Sequence, residues 1–66
     1  MHMREFTPKE FESILLHNGF RFSHASSNHR NYKKDGFNRV ITVNFHERLM
    51  NRCIARRLLK ECGIEI

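Results

Sequence analysis

The sequence predicts one α+β domain with the element order α-β-β-β-α, its three-stranded antiparallel sheet carrying both helices on one face. Three observations predict it. Two stretches, one near each end of the 66-residue chain, place apolar residues at helical spacing. Between them, short runs alternate apolar and polar residues with the two-residue period of half-buried strands. Asp35-Gly36 then supplies a tight hairpin signal between the second and third of those runs.

The first helix is expected over 8–18. Thr7-Pro8-Lys9-Glu10 is a capping box with proline at the first helical position, where its missing N–H leaves nothing unsatisfied. Phe11, Ile14 and Leu15 form the apolar stripe, and Gly19 supplies the left-handed stop.

Phe20 and Phe22 alternate with Arg21 and Ser23 as a first strand, and Ala25-Ser26-Ser27 reads as a small polar turn. A second strand runs from Asn28 to Lys33. The third is the clearest, with Ile41, Val43 and Phe45 on one face of Val40 to Phe45. With a two-residue turn at Asp35-Gly36, His29 lies opposite Thr42, and Tyr32 shares the face of Ile41 and Val43. Tyr32 is then core, while His29, Asn31 and Lys33 point outward; a slip of one residue would invert every one of these assignments.

After His46-Glu47-Arg48 comes a second helix capped by Asn51, with Ile54, Ala55, Leu58, Leu59 and Cys62 as its apolar stripe. Gly63 followed by apolar Ile64 suits a Schellman ending. Packing both helices against one sheet face is the simplest way to bury these stripes. The other face stays open to solvent. Order and layering match the double-stranded-RNA-binding fold, although a fold alone assigns no function.

Composition narrows the function classes. A chain this short makes one domain, 1–66, near the lower limit for an unstapled core, with little room for an enclosed substrate cavity. Twelve Lys and Arg against seven Asp and Glu give a formal charge of +5, which favours a polyanionic partner. No apolar run approaches a membrane span and no signal peptide is expected, so the reading is a cytoplasmic protein. Cys53 and Cys62 lie nine positions apart on one helix, roughly 13 Å along its axis, too far to pair with each other. They read as reduced core residues. His2, beside the first methionine, is given no role.

The candidate for chemistry is His29. An exposed imidazole among lysines and arginines can accept or donate a proton near neutrality, its unperturbed pKa lying at about 6.5. In RNA the 2′-hydroxyl is an internal nucleophile beside the phosphate, so proton transfer and charge stabilisation suffice without a metal. Lone surface histidines are common, and from composition alone the plain polar-strand reading of His29 is the more frequent one. His17 suits the negative end of the first helix. His24 flanks the polar turn, where it can help bind phosphate, and His46 ends the third strand, with a second proton-transfer or a structural role. No Cys-x-x-Cys-like spacing supports a metal site, and neither a Gly-rich phosphate loop nor a Ser-His-Asp series is present. Arg52, Arg56 and Lys60 recur at four-residue steps as one basic ridge of the second helix, interrupted in sign only by nearby Glu61. A solvated helix face and a phosphate-contacting one both fit it. Phe37, in the hairpin loop, is the aromatic available to stack on a base.

Taken in order, these pieces resemble the HicA toxins, also called the YcfA-like family, over residues 7–64. The shared features are Asn18-Gly19 followed by Phe20, a small-residue turn leading into His29-x-x-Tyr32, then Lys33 and Asp35-Gly36. The strand Ile41-Thr42-Val43 leading to Phe45-His46, and Leu58-Leu59-Lys60 with Cys62-Gly63-Ile64, complete the set. The resemblance implies a toxin of a toxin–antitoxin pair that cleaves messenger RNA, His29 falling on the family's catalytic histidine, and the residues themselves call for no cofactor. It further implies a HicB-type antitoxin that covers that histidine. The RNA-binding set expected around it is Asn28, Lys33, Arg52, Arg56 and Lys60, and the free chain is expected to be monomeric. Two positions depart from the family pattern: Ser27-Asn28 stands where Gly-Ser is usual, leaving Asn28 as a substitute donor, and Asn44 replaces a proline. Two other classes stay open, a non-catalytic RNA-binding module of the same fold and a protein-interaction subunit whose charge serves an acidic partner.

Overall fold

In a computed structural model, which describes residues 5–65, the chain forms α1 (Pro8–His17), β1 (Arg21–Ser26), β2 (His29–Lys34), β3 (Phe37–Asn44) and α2 (Arg52–Glu61). His2 lies outside the described residues. The strands make one antiparallel sheet in the order β1-β2-β3, the α-β-β-β-α arrangement expected.

Both helices are closed at both ends by the groups the sequence offers. Thr7 Oγ1 accepts the Glu10 N–H at 3.1 Å, and Glu10 Oε1 accepts the Thr7 N–H at 3.0 Å. Asn51 Oδ1 accepts from the N–H groups of Cys53 and Ile54 at 2.9 and 3.2 Å. Each such cap typically stabilises a helix by about 1 kcal/mol. At the other ends Gly19 (φ +90°) and Gly63 (φ +74°) adopt the left-handed conformation. Phe20 N–H then reaches the Leu15 carbonyl at 3.0 Å, and Ile64 N–H that of Leu59 at 2.9 Å, which are Schellman closures.

Phe11, Leu15, Tyr32, Ile41 and Val43 are fully buried between the helices and the sheet, with Ala55 and Leu59 joining from α2. At about 1.5–3 kcal/mol for each fully buried large side chain, these residues supply the main driving force for so small a domain. Ile54, expected in the α2 stripe, is 47% exposed; the buried line of α2 runs through Ala55 and Leu59, and Ile54 sits to one side of it.

The strands depart from the expected boundaries in instructive ways. β1 continues through Ala25 and Ser26, so the turn is Ser27-Asn28 and β2 begins at His29. β3 begins at Phe37, and its ring meets Phe20 edge-on at 5.5 Å. Half-buried there, Phe37 is a packing residue and not the free stacking aromatic expected. The two-residue turn at Asp35-Gly36 is present, yet His29 lies opposite Asn44, because β3 carries two extra residues between Phe37 and Ile41. A displacement of two preserves the alternation of faces, so Tyr32 remains buried and His29 and Lys33 remain exposed.

Candidate functional site

The open sheet face is built in rows that follow from the pairing. Ser26, His29 and Asn44 form the first row, and His24, Asn31 and Thr42 the second; Arg21 and Lys33 stand opposite each other beyond them. His24 reaches this face through a bulge. Phe22 pairs with Tyr32 and His24 with Asn31, leaving Ser23 as one extra residue in β1. Without it, His24 would share the helix-covered face with Phe22; with it, the imidazole changes sides. Nothing in the sequence marks this device; there His24 flanks the polar turn, within reach of a phosphate.

The middle row is tied together by Asn31. Its Nδ2 donates to the His24 carbonyl at 3.2 Å, and its Oδ1 accepts the Thr42 hydroxyl at 2.6 Å. One amide thereby links all three strands beside His29. Ser23 Oγ lies 3.1 Å from His24 Nδ1, while Asn44 Oδ1 accepts the His46 N–H at 2.9 Å. The His29 imidazole makes no hydrogen bond with any described residue and faces solvent.

Charge on this sheet has one sign. No Asp or Glu occurs within β1, β2 or β3, whereas Arg21, Arg30, Lys33, Lys34 and Arg39 all lie there. On the open face, Lys33 is exposed and Arg21 pairs with Asp35 of the far hairpin at 3.1 Å. A phosphate approaching His29 therefore meets no carboxylate from any strand.

At the β1–β2 turn the chain offers a second surface, on the helix side. An open cleft of about 430 Å³ is lined by Lys9, Glu12, Ala25, Ser27, Asn28, Arg30 and Phe45. Arg30 stands between two rings, 4.4 Å from the centre of Phe22 and 5.3 Å from that of Phe45. Its Nε donates to Glu12 Oε2 at 3.2 Å and to the Tyr32 hydroxyl at 3.1 Å, and Tyr32 in turn donates to Glu12. Burial first, and then the bond to anionic Glu12, push the Tyr32 phenol up to about 12. The thiol of Cys62, the C-cap of α2, is likewise raised, chiefly by burial, with Arg39 and Lys34 acting in the opposite direction.

The fold brings some of the expected site residues together and separates others. Asn28, at the turn, immediately precedes His29, and its carbonyl accepts the Phe45 N–H at 2.7 Å; Lys33 shares the open face. Arg52, Arg56 and Lys60 are exposed on α2, which packs on the opposite, helix-covered face and is tied to β3 by the Arg39–Glu61 ion pair. The ridge and His29 therefore do not share a surface. His46 follows β3, and His17 bonds back to the Ser13 carbonyl at 2.7 Å in the last turn of α1. Among the described residues, no group of three His, Cys, Asp or Glu side chains is placed to hold a metal ion. No described helix is long and apolar enough to cross a membrane.

In comparison with known proteins, the family model described as HicA toxin of bacterial toxin-antitoxin matches residues 8–64. No curated protein and no solved structure matches the chain.

Proposed function

We propose that this chain, which belongs to the HicA toxin family and is thus the toxin of a toxin–antitoxin system, acts by cleaving messenger RNA at its open sheet face. The observation that carries the reading is the setting of His29. It is an exposed imidazole on a rigid central strand, next to a row cross-linked by Asn31, on a sheet that contains no acidic residue. Phosphate is attracted to such a face, and a histidine can move the proton of a neighbouring 2′-hydroxyl. Lys33 holds phosphate on the same face, and Asn28 offers its amide from the adjoining turn. The reaction needs no cofactor.

The partner in this reading is a HicB-type antitoxin that lies over the open face and buries His29. The free chain is a monomer acting in the cytoplasm, where messenger RNA is available. Arg52, Arg56 and Lys60 serve RNA beyond the reacting phosphate, since they lie on the helix layer.

His29→Ala tests the reading. The variant is expected to keep its melting temperature, because an exposed strand histidine packs against little, and to lose both RNA cleavage and growth arrest on expression. A folded variant that still arrests growth and cleaves RNA sinks the proposal. A variant that binds RNA as well as the parent, where neither protein yields cleavage products, favours a non-catalytic binding module.

A further inference from the structure

Hydrolysis or transesterification at an RNA phosphate moves two protons, one from the attacking oxygen and one to the leaving oxygen. One histidine provides for only one of these at a time. A second histidine stands on the same sheet face as His29, and a specific irregularity of the chain puts it there.

We infer that His24 is a second catalytic residue, acting on the same RNA phosphate as His29. The inference rests on the ribonuclease reading above. Ser23 is the extra residue that turns His24 away from the helices and onto the open face. There it pairs with Asn31, whereas His29 pairs with Ser26, so the two histidines are diagonal neighbours on adjacent strands. Diagonal neighbours on one sheet face stand about 7–8 Å apart at their Cα atoms and closer at Cβ. Two imidazoles at that spacing can bracket one phosphorus, whose attacking and leaving oxygens lie on opposite sides. Bulges commonly re-aim a side chain beside an active site. The Ser23 hydroxyl at 3.1 Å occupies the Nδ1 side of His24, which leaves Nε2 to face the substrate.

The step balances with these two groups alone. The 2′-oxygen attacks the adjacent phosphorus and gives its proton to the imidazole that enters neutral. The bond from phosphorus to the 5′-oxygen breaks, and the imidazole that enters protonated hands its proton to that oxygen. The products are a 2′,3′-cyclic phosphate and a 5′-hydroxyl, and proton exchange with water restores the two imidazoles. The charged and titratable groups facing His24 are Arg21 on its own strand and His29 and Lys33 on β2; β3 contributes the neutral Thr42 and Asn44.

The experiment uses the purified full chain, a short RNA with one cleavable linkage, and the variants His24→Gln and His29→Gln, with melting curves as controls. The parent is expected to show a bell-shaped dependence of rate on pH. His24→Gln is expected to slow cleavage by about 10²–10⁴-fold and to remove one limb of the bell. A second substrate carries sulfur in place of the bridging 5′-oxygen. Its thiolate departs without a proton, so this substrate is expected to rescue whichever variant lacks the acid and not the other. An unchanged rate in His24→Gln with both limbs intact overturns the inference while leaving His29 in place. So does a slower His24→Gln that keeps both limbs with neither variant selectively rescued, which marks a purely structural role. A parent that does not cleave RNA, or a fully active His29→Gln, overturns the ribonuclease reading itself.

Discussion

The Tyr32 hydroxyl donates to the Glu12 carboxylate across the contact between α1 and β2, and Arg30 Nε reaches the same carboxylate oxygen at 3.2 Å. This joins the helix to the strand that carries His29, and it makes the tyrosine a reporter of that contact. Because Tyr32 is the sole tyrosine and the chain has no tryptophan, the tyrosinate absorbance belongs to it alone. Its pKa is raised from 10.0 to about 12. The stabilisation that comes from keeping the phenol neutral is therefore complete below pH 10 and is lost as pH climbs through about 12. Spectroscopic titration of the folded protein should give a midpoint well above 10.0. Glu12→Gln should lower that midpoint by removing the neighbouring negative charge, with burial still holding it above the free value. A midpoint at the unperturbed value in the parent would contradict the contact.

Ser27 adopts φ +57°, the one described residue other than glycine with a positive φ. As the first residue of the two-residue turn before His29, it takes the position where a type II′ turn favours glycine. An L side chain there costs roughly 1–2 kcal/mol, part of which glycine returns through its greater unfolded freedom. Ser27→Gly should raise stability by about 1 kcal/mol in denaturant unfolding, while Ser27→Val should lower it. No gain from the glycine variant would mean that the turn is not strained.

Much of this fold was legible because its punctuation is local. The capping box at Thr7, the Asn51 cap, and Gly19 and Gly63 each act within a few residues, and all lie where the sequence places them. The facing of β2 was legible too, since alternation constrains Tyr32 against Ile41 and Val43. What could not be read was the bulge at Ser23 and the two extra residues early in β3. Both are set by how the sheet closes over the core, and nothing in Arg21-Phe22-Ser23-His24 distinguishes a bulged strand from a regular one. The consequence fell directly on the candidate site. His24 moved from a turn flank to the face of His29, and Phe37 moved from a loop into packing against Phe20.

Cleavage should persist in excess chelator. The described residues offer no group of three His, Cys, Asp or Glu placed around one point, and an imidazole acting on a 2′-hydroxyl needs only proton transfer. Purified protein assayed on RNA with and without chelator checks this. Activity lost with chelator and restored by one particular divalent ion would require a different mechanism.

The separation of the α2 ridge from His29 leads to a graded expectation. Arg52, Arg56 and Lys60 are exposed on a helix that packs on the face opposite the open one. An RNA long enough to pass round the domain edge meets both surfaces, whereas a short oligonucleotide seated at His29 meets only one. Phosphate contacts release counterions and carry little sequence information. Arg52→Ala and Lys60→Ala should therefore weaken binding of long RNAs of any sequence. Each should reduce the slope of log affinity against log salt by about 0.7–0.9. With the short substrate, the cleavage rate at saturation should stay at the parent's level, because neither side chain is near the reacting phosphate. Affinity measured at several salt concentrations, for a long and a short RNA, separates these effects. An unchanged slope with the long RNA would show that the ridge is not an RNA surface, and loss of antitoxin affinity in the same variants would assign it to the protein partner.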